Sequence, residues 1–417
     1  MAPEADPNLI ELSQRVLARC DSLARCTEDP GTITRGYGFP ALGAAMDLVE
    51  TWMRDAGLTT RRDAIGNLIG RLPTAIAHAP TLLLGSHLDS VRNAGRYDGP
   101  LGVVLALAVV EALRQSEVTL PVNLDLIAFA DEEGLRFHTT YLGSRAVAGT
   151  FDPALWDRVD AQGVSLAEAC RAFGGSPDAI GTAAIEGPVI GYLEAHIEQG
   201  PALEHEGIPL AVVTAIAGQT RVAVTVRGEP GHAGTVAMPL RHDALAAASA
   251  IVLAAEDLAR KSDNLLATVG LLDVVDGASN VIPGRVHLTL DIRSSDDAVR
   301  HQAVVHLREV AQRAASDRGA TIEWSIVQEN PAVPMAPAMI RALEEAIGGR
   351  GLPVRLLASG AGHDAVAMSA ACPVGMLFLR CHGGISHHPD EAIYSEDLPL
   401  AIGVLTDAVI ALAKGHP

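Results

Sequence analysis

Two short apolar runs, each ending abruptly in a polar cluster, constrain the fold of this chain more than any other feature. Thr81-Leu82-Leu83-Leu84-Gly85 leads straight into Ser86-His87-Leu88-Asp89, and Val122 to Ala130 leads into Asp131-Glu132-Glu133-Gly134. Unbroken apolar runs of this length fit strands covered on both faces. Between them, Leu101 to Leu113 is rich in Ala, Val and Leu and long enough for a helix. Strand–helix–strand order predicts an α/β sheet with helices on its faces, and in such sheets functional groups gather beyond the carboxyl ends of the strands. The polar clusters stand where that rule puts them. Leu101 to Leu113 is also the most apolar segment, but it contains Glu111 and is too short to cross a bilayer, so it reads as a buried helix. No membrane partner is expected.

The texture changes near residue 215. Arg221 to Arg227 alternates as a strand, and Gly228-Glu229-Pro230-Gly231 turns the chain. A helix is predicted over Asp243 to Leu258, strands over Leu265 to Leu272 and Val286 to Ile292, a second helix over Asp297 to Arg318, and a last strand over Thr321 to Val327. That order is the pattern of a small α+β, ferredoxin-like unit on an antiparallel sheet. From Pro334 the α/β texture returns. With 417 residues the chain is too long for one ordinary core. The expectation is a discontinuous catalytic domain (1–214 and 328–417) with a small domain (215–327) inserted into it.

Charge and cysteine usage narrow the partners. The 31 Lys and Arg stand against 50 Asp and Glu, a formal charge of −19, whereas a nucleic-acid partner would want a basic face. No nucleic acid is expected. Cys20, Cys26, Cys170, Cys372 and Cys381 are odd in number and scattered, without CxxC spacing. Reduced thiols in a cytoplasmic setting fit this better than a disulfide framework. The start, Met-Ala-Pro-Glu-Ala-Asp, lacks the basic and apolar regions of a secretory signal.

Several residues carry chemistry. His87 and Asp89 form an H-x-D pair on a turn after a strand, and Asp98 follows within Gly95-Arg96-Tyr97-Asp98-Gly99. A metal-binding imidazole wants a partner on its other nitrogen, which Asp89 is placed to provide, while Asp98 could bridge two cations. Taken alone, the same pair suits polar groups satisfied within a turn. Glu132 and Glu133 are neighbouring carboxylates, costly to ionise together unless cations compensate. One can ligate while the other takes a proton from a bound water, although an exposed acidic turn would look the same. His196 lies in the strand-like Leu193 to Gly200, and His387 and His388 stand side by side after Gly384-Ile385-Ser386. Spacing does not choose between the last two. Imidazoles and carboxylates without thiolate favour Zn or Mn.

Together these motifs resemble the dinuclear-metal aminoacylase/carboxypeptidase superfamily (peptidase family M20). The resemblance rests on Gly85 to Asp89, Ala94 to Gly99 and Asp131 to Phe137. Within it, His196-Ile197-Glu198-Gln199-Gly200 is similar to the hydantoinase/carbamoylase branch; peptide-cleaving relatives typically carry a carboxylate at His196. Gly218 to Arg221, Gly231 to Gly234, Ala278 to Gly284, Asp291 to Arg293, Ser359 to Asp364 and Gly384 to His387 match in order. The resemblance implies a mixed-sheet, metal-dependent exopeptidase-like fold with an inserted lid and dimerisation domain. It implies two divalent cations (Zn or Mn): one on Asp98, Glu133 and His387, the other on His87, Asp98 and His196. Glu132 is then the base, and Asp89 orients His87. His232 would reach the neighbouring subunit's site as an oxyanion stabiliser, making a homodimer necessary. Gln199, Asn280, Arg293 and the backbone near Gly362 would bind substrate, with Arg293 gripping a carboxylate as a guanidinium fork does. The implied substrate is a small ureido compound bearing a carboxylate: allantoate, an N-carbamoyl-L-amino acid or 3-ureidopropionate. Phe129 to Gly143, Ile216 to Met238 and Met376 to His387 favour allantoate. A catalytically silent metal-binding homologue would be expected to lose ligands or base, and here all are present.

Overall fold

The computed structural model describes residues 6–415. They divide into two compact units. One comprises the chain up to Thr214, Met335–Leu357 and everything from Gly362; the other comprises Ala215–Pro334 and Ala358–Ala361.

The larger sheet has nine strands and is mixed. Its centre is four parallel strands in the order Asn123–Phe129, Thr81–His87, Val189–Ile197, Val374–Leu379. Antiparallel strands flank them, Leu68–Leu72 and Thr59–Arg62 on one side and Leu210–Ile216 on the other. Thr81–His87 is buried along its whole length, as its apolar run requires. It extends two residues beyond Gly85, because the Ser86 hydroxyl donates to Glu194 on the adjoining strand (3.0 Å) and keeps both polar residues in the ladder.

The helix Pro100–Gln115 starts on a proline at its first turn and is buried from Pro100 through Leu113. Leu101, Val104, Leu105, Val109 and Val110 are fully enclosed, each contributing about 1.5–3 kcal/mol by burial. Packing rather than propensity therefore holds a helix so rich in valine. Its buried acid, Glu111, is paired with both terminal nitrogens of Arg19 at 2.6 and 3.1 Å. Among the described residues, no helix is long and apolar enough to cross a membrane.

The second unit holds a four-stranded antiparallel sheet in the order Thr321–Asn330, Gly218–Arg227, Arg285–Ser294, Leu266–Val274. Helices Ala244–Arg260 and Asp297–Ser316 complete the strand–helix–strand–strand–helix–strand order. Both start on aspartate caps, Asp243 accepting from Leu245 and Ala246, Asp296 from Ala298 and Val299. Val222, Val224, Val226, Val286, Leu288, Leu290 and Ile292 form the buried stripe, facing Ala244, Ala247, Ala248, Ile251 and Ala255. The boundary differs from the sequence expectation. The unit runs to Pro334 instead of 327, because Thr321–Asn330 stays paired as far as Asn330 opposite Gln219. Ala358–Ala361 also belongs to it.

Candidate metal centre and active site

The four central parallel strands deliver the polar side chains at their carboxyl ends. His87 closes Thr81–His87, opposite Phe129. Glu132 and Glu133 follow Asn123–Phe129, His196 is the penultimate residue of Val189–Ile197, and His387 lies in the loop after Val374–Leu379. Asp98 sits between the first strand and the helix that begins at Pro100.

The turn after His87 is built by Asp89 and Arg35. Arg35 is buried and donates to the carbonyls of Leu88, Leu23 and Cys26 at 2.9, 2.9 and 3.2 Å. Asp89 is fully buried; its two oxygens accept from the backbone N–H of Glu132 (2.9 Å) and of Glu133 (3.1 Å). Oδ1 also lies 3.3 Å from His87 Nδ1. One carboxylate thus holds the imidazole by its Nδ1 and fixes the backbone of the adjacent glutamates, leaving His87 Nε2 free. His196 is set the same way: its Nδ1 lies 3.0 Å from the carbonyl of Ile197, and its Nε2 is 3.2 Å from Asp98 Oδ1. His387 Nε2 is 3.1 Å from Asp98 Oδ2 and 3.7 Å from Glu133 Oε1. His388 faces Asp390 at 3.6 Å instead. A positive φ of 56° at His387 turns the backbone there, so adjacent side chains diverge.

Two trios with converging ligand atoms therefore share Asp98: His87, Asp98 and His196, and Asp98, Glu133 and His387. Glu132 forms a third grouping with His87 and Glu133. Imidazole nitrogens facing carboxylates, with no thiolate among them, suit hard or borderline divalent cations. Space is tight by design: Gly99 has φ 85°, and a Cβ there would lie 2.3 Å from His87 Cε1.

The electrostatics match this crowding. Burial pushes Glu133 up to about 7, with Asp98 adding to the rise. Burial likewise pushes Glu132 well above the usual carboxylate range, and Glu133, Asp364 and Asp89 add to it against His87. Burial would raise Asp98 too, but His387, His196 and His87 outweigh it and hold the carboxylate ionised. The His387 imidazole is raised to about 9, chiefly by its hydrogen bond to Asp98. Such clustered anions call for positive charge.

The other expected residues fall in different places. Gln199 donates to Asp98 Oδ1 (3.1 Å) and to Ser386 Oγ (3.0 Å), so it touches the shared carboxylate itself. Gly362 lies against Tyr141, whose hydroxyl would be 1.9 Å from a Cβ at that position. His232, Asn280 and Arg293 belong to the second unit. His232 pairs with Val281 in a two-stranded ribbon, and Ala233 donates to the Asn280 carbonyl (2.9 Å). The Gly234 N–H donates to His232 Nδ1 (3.1 Å), which puts the proton of a neutral ring on its exposed Nε2. Arg293 directs Nε and Nη2 at Asp291 (2.9 and 3.0 Å) and Nη1 at the Gly360 carbonyl (2.6 Å).

The sequence reading missed Glu391 and Ser386, which sit directly behind Asp98. Glu391 accepts from the N–H groups of Tyr97 (2.7 Å) and Asp98 (3.1 Å), and Ser386 Oγ lies 3.3 Å from Asp98 Oδ2. Their only signal is membership of the polar stretch around His387. It also missed Asp131, buried with neither oxygen hydrogen-bonded among the described residues.

Residues 83–411 match the model of peptidase family M20/M25/M40. The chain is 40% identical over 97% of its length to the N-carbamoyl-L-amino acid amidohydrolase of Geobacillus stearothermophilus, covering 99% of that protein. It is 37% identical over 93% of its length to a probable allantoate deiminase of Oryza sativa subsp. japonica, covering 86% of it. A crystal structure of an amidase of the hydantoinase/carbamoylase family from Burkholderia multivorans superposes with a TM-score of 0.90 at 32% identity, over 98% of both chains.

Proposed function

The chain belongs to peptidase family M20/M25/M40, and from that premise we propose that it hydrolyses the ureido C–N bond of allantoate. The observation that carries the reading is the pair of ligand trios sharing Asp98, with the Glu132 carboxylate beside them. His87, Asp98 and His196 would hold one divalent cation (Zn or Mn), and Asp98, Glu133 and His387 the other. When bound, such a pair polarises a carbonyl and makes water nucleophilic near neutral pH.

The protein's own groups do the rest. Glu132 takes a proton as water attacks the ureido carbonyl and delivers it to the departing nitrogen, which leaves as ammonia. A carboxylate beside the cations can take that proton and return it. The carbamate that remains loses carbon dioxide, giving a ureidoglycine-type acid. Asp89 keeps His87 and the Glu132 backbone in register through the cycle. His232, protonated at Nε2, would donate to the carbonyl oxygen as negative charge develops, from the neighbouring subunit of a homodimer. Arg293 would grip the substrate carboxylate, with Asn280, Gln199 and the backbone at Gly362 holding polar groups of the substrate. Five cysteines without a disulfide support a cytoplasmic setting.

A second reading, hydrolysis of N-carbamoyl-L-amino acids, is favoured by the 40% identity to the Geobacillus enzyme. Ammonia release separates the two. Chelated protein reloaded with Mn or Zn is assayed on allantoate, on N-carbamoyl-amino acids and on 3-ureidopropionate. Allantoate should give the highest kcat/KM. A higher value for an N-carbamoyl-amino acid transfers the assignment to the second reading. Metal-loaded protein inactive on all three would overturn both.

A further inference from the structure

We propose that Glu391 is a positioning residue that locks together the two loops supplying Asp98 and His387, and so sets the affinity of the cation those residues share. The inference rests on the metal centre of the preceding reading, not on its substrate.

Glu391 is 3% exposed, although the neighbouring Asp390 is open to solvent. Oε1 accepts two backbone N–H groups of the loop before the helix, Tyr97 (2.7 Å) and Asp98 (3.1 Å). Oε2 is 3.2 Å from Ser386 Oγ, beside His387. Ser386 also accepts from Gln199 (3.0 Å), which itself donates to Asp98 Oδ1 (3.1 Å). The loop is closed at its base by an antiparallel bridge between Cys381 and Ile393, and the Glu391 N–H donates to the His388 carbonyl (3.0 Å). Glu391 therefore returns beneath His387. Gly95 leaves room for it, since a Cβ there would lie 2.3 Å from Glu391 Cβ.

Both carboxylate oxygens already accept, so Glu391 is not itself offered to a cation. Its work is geometric. Asp98 and His387 come from loops far apart in sequence, and a cation between them needs both held at once. Residues that orient ligands in this way typically change metal affinity about 10–100-fold when removed.

Zn2+ and Mn2+ binding to chelated full-length protein, read by competition with a chromophoric chelator, tests this without any substrate. Glu391→Ala should weaken one of the two cations by about 10–100-fold and the other, which shares Asp98, to a smaller degree. Glu391→Gln should restore most of the loss, because its carbonyl can accept both N–H groups while its amide donates to Ser386 Oγ. Ser386→Ala, which cuts only one arm, should weaken the same cation severalfold and decides the matter if Glu391→Ala does not fold. Unchanged binding of both cations in Glu391→Ala, or in Ser386→Ala when that variant decides, overturns the proposal. A Gln variant as weak as Ala also overturns it, since charge rather than geometry would then be at work. Wild-type protein that binds no cation overturns the metal centre itself, a distinguishable failure.

Discussion

Replacing Asp89 with asparagine separates the two tasks this carboxylate performs. In the native side chain one oxygen accepts from Glu132 N–H (2.9 Å) and the other from Glu133 N–H (3.1 Å), and the residue is fully buried. Asparagine is nearly the same size but has one acceptor oxygen, so its NH2 must face one of the two amide donors. A charge-assisted hydrogen bond then becomes a donor–donor contact out of reach of water. The expected cost is about 1.5–3 kcal/mol of unfolding free energy. The imidazole is less affected, because the Asp89 backbone carbonyl also lies 3.2 Å from His87 Nδ1 and survives the change. Metal affinity should accordingly fall by about tenfold, the low end for an orienting partner. Urea unfolding with excess chelator reads the first effect without linkage to bound metal, and a chelator competition reads the second. An unfolding midpoint equal to wild type in chelator would refute the claim that Asp89 holds the Glu132–Glu133 turn.

Other perturbations follow from the same geometry. Glu132→Gln should lower kcat by about 10²–10⁴ with metal content unchanged, measured by ammonia release beside elemental analysis; loss of metal would make Glu132 a ligand. Gly99→Ala puts a methyl 2.3 Å from His87 Cε1 at φ 85°, so it should lose metal and about 1–2 kcal/mol of stability. A crystal structure with an undisturbed His87 would contradict this. Without metal, Glu133 is raised to about 7 and His387 to about 9, so near neutrality His387 holds its proton and Glu133 is partly protonated. Cations bind the deprotonated forms, so binding should release protons at pH 7 and weaken as pH falls. Titration calorimetry in buffers of different ionisation enthalpy counts those protons, and a count of zero would sink the argument.

Much of this architecture was legible in the sequence because it repeats a local rule. An unbroken apolar run gave Thr81–His87 its buried place, and the alternation over Arg221 to Arg227 gave the strand Gly218–Arg227 one buried face. Both patterns are set by near neighbours. Glu391 was not legible, since its donors lie 293 and 294 residues away, and nothing in His-Pro-Asp-Glu says which acid turns inward. The choice between His387 and His388 depends on a backbone φ, which side-chain chemistry does not encode. The second unit ran past 327 because ladder pairing continues into polar Gln328, Glu329 and Asn330. An exposed edge strand needs no apolar pattern there.

Asp98 and Ser386 stand 288 positions apart in the chain, yet lie in one hydrogen-bonding cluster. A cation seated between Asp98, Glu133 and His387 would therefore act as a cross-link as well as a reagent, closing loops that span most of the protein. By mass action, free metal at a hundred times its dissociation constant adds about 2.7 kcal/mol to the folded state. The supply of metal would then govern how long the chain survives as well as how fast it works.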